Sequence, residues 1–338
     1  MLRLLMRRLG QAALVVAGVV GLTFVVTRLV PGDPAVAYAG PRASEAELAQ
    51  ARERFGLDEA VPVQLWNYVR DLFAGDLGIS LRTRQPVLDD LALAFPASLE
   101  LVGTALFVAI AAGIPLGVLA ARYKGKFPDL SVRFSSMLAV SVPVFWLALV
   151  LQTVFASNLR WFPVAGEYDA ALDTTSPLTV YTNVTVVDAL LTGNWPILVS
   201  TLHHLVLPAL VVAAYPIGLI AQMTRAVLLE EAGQDHTRLE RSLGFGETSI
   251  LVRFSLRPAL NPVLSLIALV FAYAIVNGFL VEAVFNWPGL GRYAADAIRS
   301  LDTPAVAGVT LLVALLYVLA NLLVDLVQGI LDPRARTR

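Results

Sequence analysis

Apolar residues gather into six long runs along the chain, near 9–30, 97–121, 131–157, 203–224, 258–284 and 304–331, with polar stretches between them. A helix needs about 20 apolar residues to cross roughly 30 Å of hydrocarbon. Each run is long enough, so the pattern predicts an all-α membrane protein with six transmembrane helices. The fourth run carries His203, His204, Pro208 and Pro216; such breaks are tolerated in a span where neighbouring helices satisfy the backbone. The first run follows MLRLLMRRLG and precedes Ala37-Tyr38-Ala39, in the manner of a cleavable secretory signal. Its apolar core is longer than the 7 to 15 or so residues of a signal, and Pro31-Gly32-Asp33-Pro34 separates it from the small residues, so it is read as a retained span.

Two polar segments are too large for simple turns. In 31–96, SEAELAQARERFGLD has a capping pair in Ser44 and Glu47 and a stop at Gly56, and VPVQLWNYVRDLFAGDLG places Leu65, Tyr68, Val69 and Leu72 on one side of a second helix. This predicts a small helical subdomain. The other segment, 158–200, with Pro163, Gly166, Pro177 and several Thr and Asp, is expected to be weakly ordered and to cap the outer mouth. Orientation follows from basic residues: with the amino terminus inside, 15 of the 25 Lys and Arg fall in the shorter, cytoplasmic segments. Both termini are then cytoplasmic, and both large segments are external.

Composition narrows the chemistry. The chain is 57% hydrophobic with a net charge of −1, which gives no basis for nucleic-acid binding, and it has no cysteine for disulfides, zinc-thiolate sites or thiol nucleophiles. Its two lysines are Lys124 and Lys126; neither stands between a glycine and Ser or Thr as a phosphate-binding loop requires. ATP-driven transport would need another subunit to hydrolyse the nucleotide. Adjacent His203 and His204 point to different helix faces and make poor co-ligands. Ser200 beside His203 has the spacing for an intramembrane hydrolase, without the glycine-flanked elbow such a nucleophile uses. Arg28, Glu100, Glu282 and Asp325 lie toward span ends, where snorkelling or helix capping is the favoured reading; Glu282 and Asp325 also stand as candidates for a polar pathway or interhelical bonds. Asn277, and Asn321 four residues before Asp325, suit interhelical hydrogen bonds or a polar pathway. The absence of a visible internal repeat disfavours an autonomous ion-coupled carrier.

Between the fourth and fifth runs stands LLEEAGQDHTRLERSLGFG. Thr237 to Leu243 forms a short helix with Leu239 and Leu243 on one face, and Gly244 is placed to end it. GETSILVRFSLRPALNP then gives a second amphipathic helix, parallel to the membrane, with Pro258 and Pro262 where the chain re-enters it. This region resembles the EAA loop of permease subunits of ATP-binding-cassette importers, and the chain is similar to the first permease subunit of the dipeptide, oligopeptide and nickel family. The matching pieces run in order: TRLVPGDPA at 27–35, FGLDEAVPVQLWNYVRDLFAGDLGISL at 55–81, FPASLEL at 95–101, GIPLGVLAA at 113–121, SVPVFWLAL at 141–149, VEAVFNWPGLGR at 281–292 and NLLVDLVQGILDPR at 321–334.

The resemblance implies a type I importer permease in a bacterial inner membrane, divided as a first span (1–30), the external subdomain (31–96), a five-helix core (97–331) with external loop 158–200 and cytoplasmic EAA loop 225–257, and a cytoplasmic tail (332–338). It implies a second permease subunit, two ATPase subunits that hold ATP and magnesium, and an external binding protein delivering peptides, with nickel or another chelate as the alternative cargo. No cofactor, metal or catalytic residue is assigned to this chain. The coupling residues it implies are Asp235, Arg238, Leu239, Arg241, Leu243, Gly244 and Phe245. Glu240 departs from the family's usual alanine, and Ser242 and Leu243 replace the common Ala and Lys; Glu240 is expected to meet a basic residue of the ATPase.

Overall fold

The computed structural model describes residues 2–29, 35, 43–54 and 59–331, with side chains over 10–11, 13–25, 35, 43–50, 52–53 and 59–322. The side chains of Arg28 and Asp325, most of the TRLVPGDPA piece, residues 55–58 with Gly56, and the tail 332–338 lie outside the described residues. Among those described there are helices and one isolated bridge, Ile79 to Pro86, but no strands. The chain divides into two compact units, Met1–Pro96 with Pro288–Leu319, and Ala97–Trp287 with Ala320–Arg338.

In the first unit α1 (Leu2–Leu29) is followed by α2 (Glu45–Arg54) and α3 (Val61–Phe73). The expected capping pair starts α2: the Ser44 amide donates to Glu47 Oε2 at 2.7 Å, and the Glu47 amide to Ser44 Oγ at 3.3 Å. Pro62 sits in the first turn of α3, where its missing N–H costs nothing. α4 (Val87–Arg122) begins with Asp89 and Asp90, whose charges suit a helix amino terminus. A buried polar clasp ties its entry to the chain's later part. Asp302 accepts from Ser80 Oγ at 2.6 Å and from the Arg82 amide at 3.1 Å, while Tyr293 donates to Asp90 at 3.0 Å.

The second unit holds the rest of α4, then α5 (Phe127–Ser141), α6 (Val144–Leu151) with a π-helical continuation to Asn158, short α7 (Leu172–Thr175), α8 (Thr185–Thr192), α9 (Trp195–Glu231), α10 (Asp235–Ser242) and α11 (Glu247–Phe285). Helix α12 (Leu290–Arg299) belongs to the first unit, and α13 (Thr303–Leu331) runs on from it. α4, α9 and α11 surround one apolar core that includes Leu101, Ala109, Leu205, Val212, Val270 and Phe285. Small residues let α4 approach α9 closely: a Cβ on Gly113 would lie 2.8 Å from Ile220 Cγ2, and one on Gly117 2.5 Å from Thr224 Cβ. Glycines four apart are a membrane helix's usual route to such contact. At the start of α5, fully buried Asp129 accepts from Arg225 Nη2 at 2.9 Å and from the Gly125 amide at 2.8 Å, so the buried charge is both paired and hydrogen-bonded.

The expectation of six spans is not confirmed among the described residues. Four of their helices are long and apolar enough to cross a membrane uninterrupted: Val87–Arg122, Trp195–Glu231, Glu247–Phe285 and Thr303–Leu322. The third run, read as one helix over 131–157, is a pair bent by 106°. Pro143 cannot donate and pushes the residue before it out of the helical region; Val142 accordingly has φ −83 and ψ 128. In α1 the apolar part among the described residues is the shorter Ala13–Val25. By contrast α9, the run most interrupted by His and Pro, is a continuous 37-residue helix with Pro208 and Pro216 both buried inside it.

Two other expectations are corrected. The segment 158–200 is ordered: buried Asp188 of α8 accepts from the Thr182 amide at 2.9 Å and its hydroxyl at 2.8 Å, and the Gly166 amide donates to the Phe285 carbonyl at 2.9 Å. Its local Asx-type bonds do not show as hydrophobic periodicity. The second helix of the charged loop is not a separate, membrane-parallel piece. It is the first part of α11, which passes through a π-helical stretch at Ile250–Ser255 and past Pro258 and Pro262 without a break.

Candidate functional site

The charged loop folds as a short helix held between two long ones. α9 extends beyond its apolar part to Glu231, and the chain turns through Ala232–Gln234 into α10. Fully buried Thr237 fastens this turn: its Oγ1 donates to the Gln234 carbonyl at 2.7 Å, with the Ala232 and Glu231 carbonyls at 3.1 and 3.2 Å. A hydroxyl bonded back to the preceding turn is a standard way to fix a helix entry.

The far end of α10 is fixed by glycine and by charge. Gly244 has φ +86, which L side chains rarely adopt; its amide donates to Arg241 O at 3.0 Å, and the Phe245 amide to Glu240 O at 3.2 Å. Arg241 reaches both neighbours of α10. Its Nε and Nη2 donate to the two carboxylate oxygens of Glu247 at 2.7 and 3.2 Å, and its Nη1 to the Ala232 carbonyl at 3.2 Å. One residue on, Thr248 accepts from Arg122 Nε at 3.1 Å, which joins the start of α11 to the end of α4. Phe245 packs edge-on against Phe254 with ring centroids 5.1 Å apart.

With one side so held, the other side is apolar and open. Leu239 is 61% exposed, Leu243 67% and Phe245 42%. Asp235 and Arg238 pair with each other at 3.3 Å on the solvent side. Glu240 does not join the open face: it is half-buried and its Oε2 is shut off from solvent, without a hydrogen-bond partner among the described residues. The residue marked from the sequence as the ATPase-facing departure therefore turns toward its own protein.

The polar residues of the spans do not converge on this loop. Asn277 donates to the Tyr273 carbonyl at 3.0 Å within its own helix, and Tyr273 stacks on Tyr215 with centroids 4.1 Å apart. Glu282 is fully buried rather than snorkelling, and Asn321 is half-buried. Glu100 caps another helix, accepting from the Val186 amide in the first turn of α8 at 2.8 Å. The histidine rings contact carbonyl oxygens, His203 Nε2 that of Trp161 at 2.9 Å and His204 Nδ1 that of Ser200 at 2.8 Å, while Ser200 Oγ accepts from the Asp169 amide. Among the described residues no Ser–His hydrogen bond forms there.

Thr237, Glu247 and Arg122 were not singled out from the sequence, although they do much of the holding. Thr237 three residues after Gln234 is the only local signal; Arg122 and Thr248 are 126 positions apart.

Comparison with known proteins fits this arrangement. Residues 113–337 match the family described as binding-protein-dependent transport system inner membrane component, and residues 1–102 match the amino-terminal region described for such membrane components. The chain is 41% identical over 331 residues to the probable D,D-dipeptide transport system permease protein of Escherichia coli K12, covering 98% of this chain and 96% of that one. It is 36% identical over 339 residues to the dipeptide transport system permease protein of the same organism, covering 99% of each. It is 37% identical over 337 residues to the di/tripeptide transport system permease protein of Pseudomonas aeruginosa UCBPP-PA14, again covering 99% of each.

Proposed function

The chain belongs to the family of binding-protein-dependent transport system inner membrane components, and from that premise we propose that it is one of two permease subunits of an ATP-driven peptide importer. The relatives above are named for dipeptide and di/tripeptide transport, which favours peptides over a nickel chelate as cargo. A second permease subunit completes the pathway, an external binding protein delivers the peptide, and two ATPase subunits bind ATP and magnesium. Both termini of this chain face the cytoplasm, as its basic residues indicate. Its own part is mechanical.

The observation that carries this reading is the short helix α10, tied on one side and apolar on the other. Leu239, Leu243 and Phe245 are the contact for an ATPase groove. When the ATPases close, a helix with both ends fixed moves as a rigid body. Thr237 and the Ala232 carbonyl pass that motion to α9, the Arg241–Glu247 pair passes it to α11, and Thr248 passes it to Arg122 of α4. Three membrane-length helices thus respond to one short lever, and the outward-open and inward-open states exchange.

A pull-down of the assembled complex tests the contact. A Leu239→Asp, Leu243→Asp double variant is expected to insert and pair with the second permease while losing most of its bound ATPase. Full retention of the ATPase would contradict the assignment of this face.

A further inference from the structure

Helix α3 keeps Leu65, Tyr68, Val69 and Leu72 half-buried on one side and carries a second, exposed apolar face on the other. Trp66, Arg70 and Phe73 recur at the four- and three-residue steps that share one helix face, and Trp66 is 69% and Phe73 90% exposed. Turned the other way are Gln64, an amide buried to 9% exposure whose Nε2 donates to the Glu59 carbonyl at 2.6 Å, and Tyr68. The two largest apolar side chains face out, and a carboxamide faces in. An exposed tryptophan and phenylalanine on one short helix have to be covered by something less polar than water.

The contacts of Tyr68 say where that face lies. Its ring packs on Phe24 of α1 at 5.8 Å between centroids, and its hydroxyl is 3.3 Å from Thr23 Oγ1. Thr23 stands six residues before the helix end at Leu29, or about 9 Å along the axis at 1.5 Å per residue. Beside it on α1, Leu22 and Val25 are exposed apolar side chains at the end of the apolar stretch Ala13–Val25. α3 therefore lies against the carboxyl-terminal end of α1, about as far from that end as the roughly 5 to 10 Å at which interfacial helices bury their apolar faces.

We propose that α3 is an interfacial helix seated in the outer leaflet, with Trp66 and Phe73 among the acyl chains and the Arg70 guanidinium at the lipid phosphates. The residue types agree with the position. Tryptophan concentrates at the membrane–water boundary, where its ring is apolar and its N–H is wet, and arginine reaches from an apolar site to the headgroups. The lipid surface continues from α1 onto α3 and anchors the subdomain that follows α1. The side of the membrane rests on the orientation proposed above; the lipid contact itself does not.

The chain has no cysteine, which makes the test direct. Single variants carry a nitroxide in the assembled complex with cysteine-free partners, in phospholipid nanodiscs: Phe73→Cys, Val63→Cys on the same side of α3 (42% exposed), and Asp76→Cys at an exposed position just beyond that helix. Collision rates are read with oxygen, which enters lipid, and with a water-soluble nickel chelate. The oxygen-to-chelate ratio is expected to be at least about tenfold higher at 73 and 63 than at 76, in keeping with the free-energy cost of moving a polar solute into hydrocarbon. A chelate-dominated signal at 73 and 63 would overturn the proposal. Low collision with both reagents would also overturn it, because the face would be covered by another subunit. So would chelate access that disappears when the binding protein is added. If the orientation alone is wrong, the ratio stays high, while a membrane-impermeant thiol reagent applied outside fails to label Asp76→Cys.

Discussion

Arg241 grips Glu247 through two parallel hydrogen bonds, at 2.7 and 3.2 Å, and so joins the last turn of α10 to the first turn of α11. Both side chains are about 40% exposed, so the pair adds at most about 1 kcal/mol to stability. Its value is directional, since a bidentate arginine fixes orientation as well as distance. Arg241→Ala or Glu247→Gln is expected to leave the melting temperature of the complex within a few degrees and its ATPase rate within about twofold, while peptide imported per ATP falls several-fold. The charge swap Arg241→Glu with Glu247→Arg is expected to restore part of it. Parallel measurement of ATP hydrolysis and peptide uptake separates this from a purely structural pair, which would leave the ratio untouched.

The contact between α4 and α9 leaves no room for a side chain at Gly117. A Cβ there would meet Thr224 Cβ at 2.5 Å and the Ala221 carbonyl at 2.7 Å. Overpacking of this kind costs about 1 to 3 kcal/mol. Gly117→Ala is therefore expected to lower the thermal unfolding midpoint of the detergent-solubilised complex. Gly103→Ala is the control, because nothing lies within 4 Å of that position on the same helix; it should be neutral.

Glu167, in the ordered segment 158–200, titrates above its ordinary value. Burial pushes its carboxyl up, against hydrogen bonds with Thr185 and Glu100 that lower it. Nearby, burial and Asp173 push Tyr168 up to about 12. A carboxyl whose folded pKa is raised binds its proton more tightly in the folded state. Its contribution is complete below the ordinary carboxylate range and is lost as pH rises through the raised value. Protection of residues 158–171 from hydrogen exchange, compared at fixed intrinsic rate, is expected to weaken from acidic to neutral pH. Glu167→Gln should flatten that dependence; an unchanged slope would show that another group is responsible.

Features carried by local spacing were legible in the sequence. The Ser44–Glu47 pair starts its helix, Gly244 ends α10, and Leu239 and Leu243 share its open face, because capping and amphipathicity act over three or four residues. The long apolar runs found the membrane helices, yet hydropathy sums over a window and is blind to a single bend, so Val142–Pro143 went unseen. Features made by distant partners were not legible. Asp129 and Arg225 are 96 positions apart, and nothing near either one announces the other. Glu240 was placed on the ATPase side because it departs from the family pattern; that it is half-buried, with Oε2 shut off from solvent, shows only in the fold. Glu282 looked like a snorkelling charge by its place near a span end, but it lies fully buried.

Peptide uptake into proteoliposomes, with this chain reconstituted alone and with its second permease, ATPases and binding protein, tests the central claim most directly. The expected result is uptake only in the complete assembly, only with ATP on the ATPase side, and reduced at least about tenfold by the Leu239→Asp, Leu243→Asp double variant, as loss of about 1.4 kcal/mol or more of coupling would require. Peptide uptake by this chain alone, driven by an ion gradient without any ATPase, would contradict it.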